Sequence, residues 1–279
     1  MKLACQEGLL VGEGLLEKWN FARRCGFEGI ELQAGSLEEF RARRGELIEA
    51  RRSGVAISSV CLAGGPFIGD FDPARRQIAV ERMKFLLEVA PELGAAGVVT
   101  PAAWGIFSRR LPPHVPPRSE ADDREVLTEA LGEMGEQALR TGAIVLLEPL
   151  NRYEDHMINT LQTAADYCKA VGLPSVKVMA DLYHMNIEEA QIPASIQRQS
   201  GLIAHVHLAD SNRLEPGAGH TDFNAAFAAL LEIGYPGWMA LECRLSGDPA
   251  VTLPASVRHL RSALNSAYDD PHRKHPESN

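Results

Sequence analysis

Four residues in this sequence stand where chemistry is easily built: Glu148, Asp181, His207 and Glu242. Glu148 follows the run I-V-L-L, Asp181 follows V-K-V-M-A, Glu242 follows W-M-A-L, and His207 lies in I-A-H-V-H-L. An unbroken aliphatic run marks a strand buried on both faces. A carboxylate at the end of such a strand meets reagents rather than bulk solvent. Each residue alone has a plainer reading: strand-end acids cap the next helix, and a histidine on an apolar strand is often just packed. Together they say more. Three carboxylates and an imidazole converging without nearby lysines repel one another unless a cation lies between them. A mostly oxygen donor set suits one hard or borderline divalent ion, Mn2+ first, with Mg2+, Co2+ or Zn2+ as alternatives. His205 shares a strand face with His207, so one can be a ligand and the other a neighbour.

Successive members of this set are about one strand–helix unit apart, and the chain around them repeats that unit. Apolar runs at residues 2–5, 29–32, 55–62, 96–100, 144–147, 176–180, 203–208 and 238–241 alternate with helical stretches. Gly26, Gly142 and Gly172 read as helix stops, and Ser36 with Glu39 as a capping box. Asp72-Pro73 reads as a helix start, and Pro91 as a kink or break in that helix's last turn. Residues 122–141 read as one helix, and residues 186–200 as another. Eight such units with no linker predict an α/β fold, a (β/α)8 TIM barrel, as a single domain over residues 1–268. An open doubly wound sheet fits less well, because Gly12–Gly14 does not make a GxGxxG turn. Residues 269–279 are polar with two prolines and read as a flexible C-terminal tail.

At 279 residues, 45% hydrophobic and 23% charged, the composition is that of a soluble globular protein. The net charge of −9 argues against a nucleic-acid partner. No apolar stretch predicts a membrane span or a signal peptide, and five scattered cysteines fit a reducing, cytoplasmic setting. Residues 107–119 hold four prolines and three arginines. They read either as a rigid surface loop or as a lid in which Trp104, Arg109, Arg110 or Arg118 approaches the site. Arg152 is expected in a salt bridge with a loop carboxylate.

At the four strand ends the sequence resembles the xylose isomerase-like TIM-barrel superfamily of sugar isomerases and epimerases, and within it the ketose 3-epimerases of the tagatose and psicose type. The motifs are L-E-P-L-N-R-Y-E, A-D-L-Y-H, H-L-A-D-S-N-R and A-L-E-C-R. The resemblance implies that Glu148, Asp181, His207 and Glu242 bind the metal. It implies that Glu148 and Glu242 are the catalytic carboxylates, and that Glu154, His184 and Arg213 bind substrate. The N-terminal stretch C-Q-E-G-L-L-V-G lacks the aromatic residues with which the ketose 3-epimerases wall their sugar. The implied chemistry is proton transfer through a cis-enediolate on a ketose or ketose derivative. An aldose–ketose isomerase acting on a sugar, sugar phosphate or sugar acid uses the same site. A non-catalytic sugar-binding barrel or an endonuclease-IV-like repair enzyme fits less well. A homodimer or homotetramer is the expected assembly.

Overall fold

The computed structural model describes residues 1–269. Eight parallel strands close into a barrel in chain order. They are β1 (Lys2–Gln6), β2 (Gly29–Ala34), β3 (Ile57–Leu62), β4 (Val98–Pro101), β5 (Val145–Glu148), β6 (Val176–Asp181), β7 (Ile203–Leu208) and β8 (Trp238–Leu241). Closure is made by β1 against β8, with Ala4 opposite Ala240. The outer helices are α1 (Leu15–Cys25), α2 (Leu37–Arg52), α3 (Pro73–Leu93), α4 (Glu120–Thr141), α5 (Leu161–Val171), α6 (Leu182–Glu188), α7 (Ile192–Arg198), α8 (Phe223–Glu232) and α9 (Pro249–Tyr268). Among the described residues no helix is long and apolar enough to cross a membrane.

Local chemistry sets most boundaries. Ser36 and Glu39 close a capping box on α2, and Gly26, Gly94, Gly142 and Gly172 end their helices in the left-handed conformation. Three expectations change. Pro91 does not break α3: the ring removes one backbone hydrogen bond, and the helix runs on to Leu93. Ser119 caps α4, so that helix starts two residues before Asp122. The helix expected over residues 186–200 is two short ones. Pro193 sits in the first turn of α7, where its fixed φ starts a helix and its missing N–H cannot continue one. The tail expected over residues 269–279 lies outside the described residues, apart from Asp269, which caps α9.

Side-chain alternation along the strands places the site. The main core packs strands against the outer helices, while Cys61, Val99, Leu146 and Met179 form a small apolar plug inside the barrel. Two residues beyond Leu146 is Glu148, and two beyond Met179 is Asp181. The period-two rule therefore carries both carboxylates inward, above the plug, at the C-terminal mouth.

Candidate active site

Atoms offered by Glu148, Asp181, His207 and Glu242 all lie within 4.8 Å of one another. His207 Nδ1 is 3.2 Å from Glu242 Oε2, 3.6 Å from Glu148 Oε1 and 3.8 Å from Asp181 Oδ2. Glu148, Asp181 and His207 are buried, and Glu242 opens to the mouth. Asp181 serves two ends. Its Oδ1 caps α6, accepting from the backbone N–H groups of Tyr183 at 2.7 Å and His184 at 3.0 Å. Its Oδ2 is buried with no hydrogen-bond partner among the described residues, as are Glu148 Oε1 and His207 Nδ1. Buried polar atoms left without partners are costly. Three of them turned toward one point are what a cation requires, so these residues fit a divalent metal.

The electrostatics agree. Burial pushes the Glu148 carboxyl up, only partly opposed by the His207 imidazole 3.6 Å away, and the charges of Glu242 and Asp181 raise it further. Burial also opposes the charge on Glu242. There the charge of His207, 3.2 Å away, and the charge of Arg213 outweigh it, lowering the carboxyl to about 2. Two carboxylates side by side are thus driven in opposite directions.

Beneath His207 lies a second polar layer that the sequence reading did not place in the site. His207 Nε2 stands 2.8 Å from Glu31 Oε1, an ion-pair distance without a straight hydrogen bond. The other oxygen of Glu31 accepts from Ser59 Oγ at 2.6 Å and lies 2.8 Å from His205 Nε2. Burial would raise the Glu31 carboxyl, but the charge of His207 and the hydrogen bond with His205 hold it well below the usual carboxylate range. A carboxylate behind a metal-binding imidazole fixes its tautomer and aim. The sequence did carry a signal: Glu31 sits inside an apolar strand, and a buried charge needs a partner. Glu31, Cys61 and His207 also form a candidate metal group. Its donors are poorer, because Glu31 is already engaged by Gln6, Ser59 and His205, and burial keeps the Cys61 thiol protonated.

The expected substrate contacts surround the four-residue cluster. His184 Nδ1 accepts from the backbone N–H of Asn151 at 3.0 Å, which leaves its Nε2 to carry the proton. That Nε2 lies 3.4 Å from Arg213 Nη1 and 3.9 Å from Asp181 Oδ2. Arg213 adopts a left-handed conformation, φ 59°, unusual for a side chain with a Cβ. Its N–H donates to Asp210 O and its C=O accepts from Arg244 N, so the loop after β7 holds the guanidinium in place. The guanidinium lies 4.7 Å above the Tyr183 ring, 3.1 Å from Glu154 Oε1 and 3.5 Å from Glu242 Oε2. Glu154 also accepts from Asn151 Nδ2 at 2.9 Å and from the indole N–H of Trp104 at 2.8 Å.

Glu148, Glu154, Arg213 and Glu242 line a cavity of about 240 Å³ at the barrel mouth, with Gln33, Cys61, Phe67 and Leu150 among its other walls. Trp104 belongs to it. Arg109 and Arg110 do not: they line a separate cavity with Arg152 and His156, and Arg109 pairs with Glu120 at 2.9 Å. Arg118 is tied to Asp123 at 2.5 Å and to the carbonyl of Gly69. The proline-rich loop therefore brings none of its arginines to the site; Trp104, just before it, reaches the site instead. Arg152 pairs with Glu188, at the end of α6, at 2.8 Å.

This closed eight-stranded barrel is the fold of the xylose isomerase-like TIM barrels. The family match covers residues 19–263, and the chain belongs to that family. Over 267 residues it is 38% identical to the 3-dehydro-D-guloside 4-epimerase of Escherichia coli (strain K12), covering 94% of this chain and 100% of that one. The apo crystal structure of a 3-keto-D-glucoside 4-epimerase from E. coli superposes with a TM-score of 0.89 at 38% identity, over 94% of this chain and 99% of that chain. A ketose 3-epimerase of Arthrobacter globiformis is less similar, 28% identical over 264 residues, covering 93% of this chain and 88% of that one.

Proposed function

We propose that the protein is a divalent-metal-dependent sugar epimerase that inverts the hydroxyl-bearing carbon next to a keto group. Its substrate class is a 3-keto glycoside and the inverted carbon is C4. The observation that carries the metal-dependent chemistry is the trio of buried, unpartnered atoms, Glu148 Oε1, Asp181 Oδ2 and His207 Nδ1, facing Glu242. The choice of a 3-keto glycoside over a simple ketose leans on the relative with 38% identity along nearly the whole chain.

The hydrogen on the carbon beside a ketone is acidic because its loss delocalises charge onto the keto oxygen. Glu148, Asp181, His207 and Glu242 would hold a divalent ion, which would supply Lewis-acid stabilisation of that developing oxyanion. Inversion takes the proton from one face and returns it to the other, so it needs an acid/base group on each face. Glu148, from β5, and Glu242, at the end of β8, are those groups. Because epimerisation is reversible, each serves as base in one direction and as acid in the other. The His184 Nε2–H and the Arg213 guanidinium donate to substrate oxygens and keep the intermediate planar between the two carboxylates. Glu154, held by Asn151 and Trp104, accepts from a substrate hydroxyl.

The test is to incubate the Mn2+-loaded enzyme with a 3-keto glucoside in deuterium oxide and analyse the product by NMR. The proposal expects one deuterium at C4 and inverted configuration there. Deuterium appearing at C3, with the keto group moved to C2 or C4, would indicate an isomerase. No exchange at any carbon would favour a sugar-binding barrel.

A further inference from the structure

Gln33 stands between two cavities. It lines the catalytic one, and also a second of about 330 Å³ at the ends of β1 and β2. The charged walls of this outer cavity are Glu7, Glu13, Lys18, Arg43 and Glu46, and Leu15 is its apolar wall. Gly8 keeps the junction open to the Gln33 amide, since a Cβ built there would meet Gln33 Oε1 at 2.5 Å. The inner wall is fixed in advance. Arg43 grips Glu7 through two bonds of 3.0 and 2.7 Å, and Glu7 accepts the backbone N–H of Gln33 at 2.8 Å. The outer wall is looser: Lys18 is 4.0 Å from Glu7, Arg43 is 3.9 Å from Glu46, and the Glu46 side chain is 50% exposed.

The junction is wired to the chemistry. Gln33 Nε2 donates to Gln6 Oε1 at 3.2 Å, and Gln6 Nε2 donates to Glu242 Oε1 at 3.0 Å and to Glu31 Oε1 at 3.1 Å. Two neutral amides therefore connect the outer cavity to one of the two proton-transfer carboxylates.

We propose that the outer cavity is a subsite for the aglycone of the substrate, and that it takes a second, uncharged hexosyl ring. The inference rests on the reading of the substrate as a 3-keto glycoside. The two cavities are of comparable volume, 240 and 330 Å³, so a space suited to one ring is matched by another beside it. Three carboxylates and two cations in one wall suit neighbouring hydroxyls, each of which donates to one group and accepts from another. The walls carry one more negative than positive charge, which disfavours a phosphate or carboxylate aglycone. No aromatic side chain lines the outer cavity, so an aryl aglycone finds no stacking surface.

The experiment compares two substrates on the Mn2+-loaded enzyme: the 3-keto derivative of a methyl glucoside, and that of a glucose disaccharide oxidised on its non-reducing ring. Exchange is followed in deuterium oxide for the wild type and for the Lys18→Ala/Glu46→Ala double variant. The wild type is expected to prefer the disaccharide by about tenfold in kcat/KM, a difference of about 1.4 kcal/mol. The double variant is expected to lose most of that preference through a raised KM, with kcat on the disaccharide kept. Equal kcat/KM on the two substrates in the wild type would overturn the subsite alone, as would an unchanged preference in the double variant. Exchange with neither glycoside, while a free ketose exchanges, would overturn the glycoside reading and the subsite with it.

Discussion

The two halves of the barrel do different work. The candidate ligands all come from the second half: Glu148 from β5, Asp181 from β6, His207 from β7 and Glu242 from the end of β8. The first half supplies no member of that cluster. It supplies Gln6, Glu31, Gln33 and Ser59, which hold the ligands from behind or from the side, and Trp104, which holds Glu154. The interior is divided along a different line. The polar layer runs from β2 and β3 across to β7, while β4, β5 and β6 send Val99, Leu146 and Met179 into the apolar plug. A closed barrel makes this possible. Glu31 and His207 are far apart in sequence, yet the two strands face each other across a narrow interior. One half can thus be specialised for chemistry and the other for aim and substrate reach.

Variants on either side sharpen this contrast. The largest effect is expected in the second half. Glu148→Gln and Glu242→Gln should each lower the rate of deuterium exchange on the order of 10²–10⁴-fold, the range for loss of a general acid/base group. Full exchange in either variant would remove that residue from the proton-transfer pair. In the first half, Glu31→Gln keeps the shape and removes the charge behind His207. It should weaken Mn2+ binding by about 10–100-fold, the range for loss of a carboxylate behind a metal-binding histidine. Competition with a fluorescent chelator reads this without reference to turnover, and excess Mn2+ should restore most of the rate. Wild-type Mn2+ affinity in Glu31→Gln would break the division between the halves, because Glu31 would then be a core charge with no hold on the ligand.

The second half was the more legible one, for a physical reason. An aliphatic run ending in a carboxylate is a local pattern, and four of the eight strand–helix units carried a ligand in register, so both fold and cluster could be read along the chain. The contribution of the first half depends on closure. Gln6 and Gln33 are neutral amides with no local signature, and their chain to Glu242 exists only once β1 lies beside β8. Glu31 was visible as a carboxylate in a strand, but its partners His205 and His207 come from across the barrel. The arginines of residues 107–119 misled in the opposite direction. A proline-rich loop has no periodicity to say which way its side chains face, and Arg109 turns out to meet Glu120. The two short helices α6 and α7 were within reach of the sequence, since Pro193 marks the second start.

The central claim is that the four residues from β5 to β8 hold one divalent ion. Its most direct test is equilibrium titration of chelator-treated protein with Mn2+, counting bound ions by electron paramagnetic resonance of the free metal. The account predicts one tightly bound ion per chain in the wild type, and loss of that site in Asp181→Asn. Asp181 Oδ1 only caps α6, so that variant should keep its fold. Wild-type stoichiometry and affinity in Asp181→Asn, or no Mn2+ bound by the wild type, would contradict it.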